Sequence, residues 1–215
     1  MAELVPIPSP GVPLEFGARG GPLVLVLHDW FGRLPWVESV ARALADRGFR
    51  VLVPDLFGGG ATTDDETAQT LLAALDIGGT LAALDDLVGD AREQGSTGVG
   101  LLGFSMGGWL ALLHAQNGDA DAVIAYYASL TATDHGVIPC TVQLHLAEHD
   151  SWGEGQQPEG FVTRLLEHGT PVSTFDYAGT RHGFANATLA RDFDADAAAL
   201  ASTRTTSFLR EHLLE

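Results

Sequence analysis

The sequence predicts an α/β fold in which helices cover both faces of a mostly parallel central sheet. Short segments that are apolar throughout alternate along the chain with longer stretches whose apolar residues recur at helical spacing. Continuously apolar strands are typical of a parallel sheet that is buried on both faces. The 215 residues contain no linker-like segment and no internal repeat. This favours a single domain that spans residues 1–215.

The predicted elements follow one another in a regular order. Strands are predicted at Pro22–Leu27, Arg50–Val53, Val99–Leu102, Ala122–Tyr127, Thr141–Leu146 and Val172–Tyr177. Helices are predicted at Trp36–Arg47, through the Ala/Leu-rich stretch from about Asp64 to Glu93, at Trp109–Ala115, near Pro158–His168 and from about Asp192 to Leu213. Active sites of such folds lie at the carboxyl ends of the strands, so we expect catalytic residues directly after strands.

The charge balance argues against two classes of partner. The chain has 28 acidic residues against 11 basic ones, which gives a formal charge of −17. Such a surface repels nucleic acid and anionic membranes, and no apolar run approaches the ~20 residues of a membrane span. With one cysteine, Cys140, and no secretory leader pattern at its start, the sequence predicts a cytoplasmic protein without internal disulfides.

One short motif carries a candidate nucleophile. Gly103-Phe104-Ser105-Met106-Gly107 fits the G-x-S-x-G pattern, in which a serine occupies a strained turn between a strand and a helix. Glycines are needed on both sides because side chains there would collide as the strand passes into the helix. The apolar run before the motif and the helix-forming run after it supply the expected context, and the pattern predicts that Ser105 is a nucleophile.

A serine nucleophile needs a histidine base and a carboxylate that orients it. In this architecture the acid and then the histidine follow the nucleophile along the chain. Asp150 lies beyond the strand Thr141–Leu146 and is the favoured acid, with Glu148 as the main competitor. His182 follows the strand Val172–Tyr177 on a glycine-flanked loop, where its imidazole can reach a neighbouring strand end, and it is the predicted base.

The oxyanion of an acyl-transfer intermediate must be held by backbone donors. One predicted donor is the N–H of Met106, which follows the nucleophile at the start of its helix. The other is the N–H of Trp30, in the loop after the first strand. Trp30 and Phe31 would serve equally well as a hydrophobic edge of the core, and the two roles are compatible.

Together these segments resemble the dienelactone hydrolase family over nearly the whole chain. The matching segments are His28-Asp29-Trp30-Phe31-Gly32, Pro54-Asp55-Leu56, Gly103 to Gly108, Tyr126-Tyr127, Glu148-His149-Asp150 and His182-Gly183-Phe184. The resemblance implies an α/β-hydrolase fold. It also implies that Ser105, Asp150 and His182 form a catalytic triad, with the oxyanion hole at the N–H groups of Trp30 and Met106.

The departures from the family pattern concern the substrate. Family members that open dienelactone usually have cysteine where this chain has Ser105. In the first loop they usually have a glutamate that contacts the resting nucleophile, whereas this chain has Asp29, which is one methylene shorter. Their two carboxylate-binding arginines are also missing, because residues 51–91 contain no arginine and the second position is Asn186. Without a positioned guanidinium, a carboxylate would enter strongly negative surroundings.

The leading hypothesis is therefore a serine hydrolase that cleaves a small neutral carboxylic ester or lactone. Its apolar portion is expected near Trp30, Phe31, Tyr127 and Trp152, with Asp29 beside the nucleophile. The alternatives are a dienelactone-type lactone hydrolase, a thioesterase or a ligand-binding homologue without catalytic activity. No cofactor or metal is expected, and the protein is expected to be a monomer or homodimer.

Overall fold

The computed structural model describes residues 4–134, 136–151 and 156–214 and contains a sheet of seven strands. The strands are β1 (Leu14–Phe16), β2 (Leu23–Leu27), β3 (Arg50–Val53), β4 (Val99–Phe104), β5 (Ala122–Tyr126), β6 (Thr141–His149) and β7 (Val172–Arg181). Their order across the sheet is β1-β3-β2-β4-β5-β6-β7. Strands β2 to β7 pair in parallel, which confirms the predicted mostly parallel sheet.

The first strand was not predicted from the sequence. β1 lies at the edge of the sheet and pairs antiparallel with β3, with Leu14 opposite Val53 and Phe16 opposite Val51. It has only three residues, none of which is fully buried. An edge strand of this length has neither the continuous apolar run nor the clear alternation that identifies a strand in a sequence.

Helices lie on both faces of the sheet, as predicted. They are α1 (Pro35–Ala45), α2 (Asp65–Ala73), α3 (Ile77–Glu93), α4 (Met106–His114), α5 (Pro158–Glu167) and α6 (Ala195–Leu213). Alternate residues of β2 divide between the two cores, because successive side chains of a strand point to opposite faces. Val24 and Val26 pack with buried residues of α1 and α6, whereas Leu23 and Leu25 pack with buried residues of α3, α4 and α5.

The last two strands are longer than predicted, and this positions the site. β6 continues to His149 and β7 to Arg181, so Asp150 and His182 each follow a strand directly. An irregularity in the pairing lets β7 gain two residues on β6 before His149 pairs with Arg181. Gly179 within this bulge has a φ of 75°, a value that favours glycine. The extensions were missed because most of their residues are polar or exposed, apart from the buried Ala147.

Among the described residues, none of the helices α1 to α6 combines the length and the apolarity needed to cross a bilayer.

Candidate active site

Ser105 occupies the sharp turn between β4 and α4. Its backbone has φ 53° and ψ −116°, a conformation that a residue with a side chain rarely adopts. The turn is held on both sides, since the Ser105 N–H donates to the carbonyl of Tyr126 at 2.9 Å and its own carbonyl accepts from the Trp109 N–H at 2.9 Å. The strained turn presents the hydroxyl at the carboxyl end of the sheet.

The glycines around Ser105 are required by close backbone approach. A Cβ on Gly103 would overlap the backbone of Gly107, and a Cβ on Gly107 would overlap the carbonyl oxygens of Leu27 and His28. α4 therefore packs directly against the ends of β2 and β4. The pattern of two flanking glycines reflects this packing, as the sequence predicted.

A hydrogen-bonded relay connects Ser105 to His182 and Asp150. The distance from Ser105 Oγ to His182 Nε2 is 2.7 Å, and both carboxylate oxygens of Asp150 lie 2.9 Å from His182 Nδ1. An ionised carboxylate can only accept, so the ring proton belongs on Nδ1 and Nε2 accepts from the serine hydroxyl. The side chain of Asp150 is 1% exposed and that of His182 is 41% exposed, so the carboxylate is buried while the imidazole lies at the cavity.

The competing acid, Glu148, lies elsewhere. Its side chain is 51% exposed and accepts a hydrogen bond from the backbone N–H of Gly179, across the bulge between β6 and β7. The structure thus brings Asp150 to His182 and uses Glu148 to hold the bulge.

The two predicted oxyanion donors both lie at the cavity that contains Ser105. Met106 is the first residue of α4, a position at which a backbone N–H has no partner within the helix. In the loop after β2, the N–H of Phe31 donates to the Asp29 side chain and that of Gly32 to the Asp29 carbonyl. The Trp30 N–H between them donates no backbone hydrogen bond to any of the described residues.

Asp29 is buried and, among the described residues, makes no hydrogen bond to Ser105. Its Oδ1 accepts from the Phe31 N–H at 3.0 Å and its Oδ2 from the Asn186 side-chain amide at 2.8 Å. Burial raises the pKa of Asp29 to about 6, although these two hydrogen bonds and the nearby His182 act in the opposite direction. Asn186, whose position was noted only as a missing arginine, is thus the partner of Asp29.

His28 holds the Trp30 loop in place. Its Nδ1–H donates to the Asp29 carbonyl at 2.7 Å, and its Nε2 accepts from the Leu56 N–H at 3.1 Å. Burial lowers the pKa of His28 to about 4, so the ring is neutral and can fill both roles at once. Only the resemblance marked this residue, because a histidine that ends an apolar strand has no distinguishing local pattern.

A cavity of about 760 Å³ opens over Ser105. Asp29, Phe31 and Tyr127, which the sequence predicts to lie near the substrate, line this cavity. Tyr127 also packs its ring against that of His182, with 4.9 Å between the centroids. Trp152, the remaining predicted pocket residue, lies outside the described residues. The sequence did not indicate the contribution of the junction of α2 and α3, where Leu72 of α2, Leu75 of the link and Ile77 of α3 line the cavity.

Two arginines also line the cavity. Arg191 forms ion pairs with Asp65 at 2.6 Å and with Asp192 at 2.9 Å, and these hydrogen bonds raise its pKa above the ordinary value for an arginine. Arg181, at the end of β7, has no carboxylate partner within the part of the chain that the structure describes. The two guanidinium groups at the cavity therefore differ in their availability to a ligand.

The sequence is similar to known proteins of one family. The profile of the dienelactone hydrolase family matches residues 16–213. A carboxymethylenebutenolidase from Pseudomonas putida is 29% identical over 206 residues, which cover 87% of this chain and 85% of that protein. The protein usf from Aquifex pyrophilus is 25% identical over 207 residues, which cover 90% of each chain.

Solved structures share the fold. A candidate dienelactone hydrolase from Klebsiella pneumoniae superposes with a TM-score of 0.76 at 18% identity, covering 91% of this chain and 97% of its own. A dienelactone hydrolase-like promiscuous phosphotriesterase from metagenomic libraries gives 0.75 at 21% identity, covering 91% and 88%. With the family profile matching almost the entire chain, the protein belongs to the dienelactone hydrolase family.

Proposed function

We propose that the chain is a serine hydrolase that cleaves a carboxylic ester or lactone through an acyl-enzyme on Ser105. The observation that carries the proposal is the relay from Ser105 Oγ through His182 to the buried Asp150, with distances of 2.7 and 2.9 Å. Nucleophile, base and orienting acid are then within hydrogen-bonding distance before substrate arrives. The buried thiol of Cys140 is in keeping with a cytoplasmic protein.

In the first half of the proposed reaction, Ser105 Oγ attacks the carbonyl carbon while His182 Nε2 takes the hydroxyl proton. The N–H groups of Met106 and Trp30 donate to the resulting oxyanion. Asp150 accepts from Nδ1–H and stabilises the imidazolium. Collapse of the intermediate breaks the ester C–O bond, and the departing alkoxide takes the proton from Nε2, which leaves an acyl-enzyme.

Water completes the proposed cycle. His182 Nε2 takes a proton from the water as its oxygen adds to the acyl carbonyl, and the same two N–H groups hold the new oxyanion. The bond to Ser105 Oγ then breaks, and the serine recovers the proton from Nε2. The carboxylic acid is released without any other reactant.

A neutral substrate is favoured by the charges at the cavity. Asp29 lines it, and the other lining carboxylate, Asp192, is paired with Arg191. By the family resemblance, Asn186 stands where an arginine would hold a carboxylate. A net charge of −17 adds a repulsive field for anions. We therefore propose a neutral ester or lactone as the preferred substrate.

The second candidate is a lactone that bears a carboxylate, and Arg181 is the observation that favours it. Arg181, which directly precedes His182 in the sequence, lines the cavity and has no carboxylate partner among the described residues. An arginine in this position could pair with an anionic group of a substrate. Thioesters would use the same machinery, whereas a ligand-binding homologue would bind without turnover.

Replacement of the nucleophile tests the proposal. We expect Ser105→Ala to lower kcat for p-nitrophenyl acetate at least ~10³-fold, because the covalent step is lost. A fluorophosphonate should label the peptide that contains residue 105 in the wild type but not in Ser105→Ala, as measured by mass spectrometry. Ser39→Ala, on α1 outside the cavity, is the matched control and should behave like the wild type in both measurements.

Two results would contradict the proposal. Equal turnover by Ser105→Ala would exclude the acyl-enzyme, and labelling at Ser105 without turnover of any ester, lactone or thioester would favour the ligand-binding alternative. A panel that includes lactones with a carboxylate separates the two substrate classes. If these were hydrolysed faster than neutral esters, the neutral preference would be wrong and Arg181 would be the first residue to replace.

A further inference from the structure

The cavity over Ser105 has an apolar wall that the proposed chemistry does not use. It consists of Leu72, Leu75 and Ile77, at the junction of α2 and α3, together with Trp109 of α4. α2 ends at Ala73 and α3 begins at Ile77, so a three-residue link turns the chain here. We call these four residues the apolar wall.

Two members of the apolar wall remain substantially exposed. Leu72 is 37% and Ile77 is 42% exposed, whereas Leu75 and Trp109 are partly buried against the core beneath them. A single exposed aliphatic side chain is ordinary on a protein surface. These residues, however, share one cavity with the Ser105 hydroxyl, so a hydrocarbon group of a ligand positioned for attack could cover them and be removed from water.

The charges near the apolar wall disfavour an anionic occupant. Arg191, which reaches α2, is already paired with Asp65 and Asp192. A further carboxylate, Asp29, also lines the cavity. A neutral hydrocarbon group loses nothing in this field, whereas an anion would be repelled.

The size of the cavity points in the same direction. Its volume of about 760 Å³ is in the usual range for sites that enclose most of a small organic ligand. The acyl part of an acetate ester would fill only a small fraction of it and would leave the apolar wall in water. An ester with a longer hydrocarbon group would cover the wall.

We propose that the apolar wall is a binding subsite for the hydrocarbon group of an ester longer than an acetate. This inference rests on the proposed hydrolysis at Ser105 and specifies its substrate class. The hydrocarbon group belongs to either the acyl or the alcohol half of the ester. The chemistry that the wall recognises is the same in both cases, and the experiment distinguishes them.

Two series of esters test the subsite. The acyl series runs from p-nitrophenyl acetate through butyrate to hexanoate, and the alcohol series from methyl acetate through butyl to hexyl acetate. In the series whose chain meets the wall, kcat/KM should rise about three- to fourfold per methylene until the wall is covered. The other series should stay flat, which assigns the half of the ester that binds.

A double variant connects the rise to the apolar wall. In the series that responds, we compare kcat/KM for the six-carbon ester with kcat/KM for the shortest ester. This ratio should fall about tenfold in Leu72→Gln/Ile77→Gln, since both exposed members become polar. Glutamine is a good helix former, which limits damage to α2 and α3. Leu200→Gln is the matched control, because Leu200 is 48% exposed on α6 and is not part of the cavity; its ratio should equal that of the wild type.

Three results would overturn the subsite. The first is a kcat/KM that does not change with chain length in either series, and the second is an unchanged ratio in the double variant. The third is a wild-type dimer in light scattering that the double variant loses, with no change in the dependence of kcat/KM on chain length. The last would identify the wall as a contact between two copies of the chain. Turnover that depends on Ser105 but not on chain length would refute the subsite alone, whereas no turnover of any ester would refute the proposed hydrolysis and the subsite with it.

Discussion

Two buried carboxylates near His182 have very different surroundings. Asp150, at the end of β6, directs both oxygens at the ring Nδ1, 2.9 Å away. Asp29, in the loop after β2, accepts from two neutral amides, the Phe31 N–H and the Asn186 side chain. Burial raises the pKa of Asp29 to about 6. The two carboxylates therefore differ in their donors, and in the proposed reaction only the imidazole that faces Asp150 becomes a cation.

Asp150→Asn should have the largest effect on this comparison. An asparagine amide can orient the wrong tautomer of His182, with its proton on Nε2, and such a ring cannot accept from Ser105 Oγ. We expect kcat for p-nitrophenyl acetate to fall by about 10³- to 10⁴-fold with an unchanged circular dichroism spectrum. A fall of less than about tenfold in a folded variant would show that another acid orients His182.

Asp29→Asn should have a smaller effect on activity. Asp29 makes no hydrogen bond to Ser105 or His182 among the described residues, so we expect kcat/KM to fall by less than about tenfold. A loss as large as that of Asp150→Asn would mean that the two carboxylates act together on His182. Steady-state kinetics of both variants on the same ester make the comparison.

Asp29 should also affect stability as a function of pH. Its pKa is raised from 3.8 to about 6 on folding, so between these values the native state holds a proton that the unfolded state has released. Its contribution to stability is fully present below pH 3.8 and is lost as the pH rises through 6. Between pH 5 and 7.5 the loss amounts to about 1.4 kcal/mol.

Urea denaturation of the wild type and Asp29→Asn at these two pH values measures this contribution. The variant lacks the titrating group, so it does not lose this stability as the pH rises. Its free energy of unfolding minus that of the wild type should therefore be larger at pH 7.5 than at pH 5 by about the same 1.4 kcal/mol. A difference that does not change with pH would indicate an unperturbed carboxyl at position 29.

The smallest effect is expected at Glu148, the competitor of Asp150 in the sequence. Its side chain is half exposed and accepts from the Gly179 N–H, and a glutamine carbonyl can accept the same bond. We expect Glu148→Gln to change kcat/KM by less than about twofold. A loss comparable to that of Asp150→Asn would reverse the assignment of the acid.

The sequence predicted the parts of the site that have local patterns. The elbow is recognisable because close packing around Ser105 demands glycines in a fixed register, and Asp150 and His182 are found because they follow strands. The length of β6 and β7 was underestimated, since their last residues pair at an exposed end of the sheet. With the observed strand ends, Asp150 directly follows β6 and His182 directly follows β7.

Other parts had no local signal. The hydrogen bond between Asp29 and Asn186 joins residues 157 positions apart, and only the fold brings them together. The apolar wall was also missed, because Leu72 and Leu75 belong to an Ala/Leu-rich stretch that predicts helix without indicating what its exposed side chains face. Long-range pairs and cavity surfaces depend on the assembled sheet.

The backbone of Ser105 has a consequence for how this chain evolves. A serine with φ 53° and ψ −116° destabilises the native state by about 1–3 kcal/mol, and a glycine would adopt the same dihedral angles at little cost. Ser105→Gly would therefore stabilise the native state while it removes the hydroxyl. In a lineage that needed this protein only to bind a ligand, selection for stability would favour that replacement.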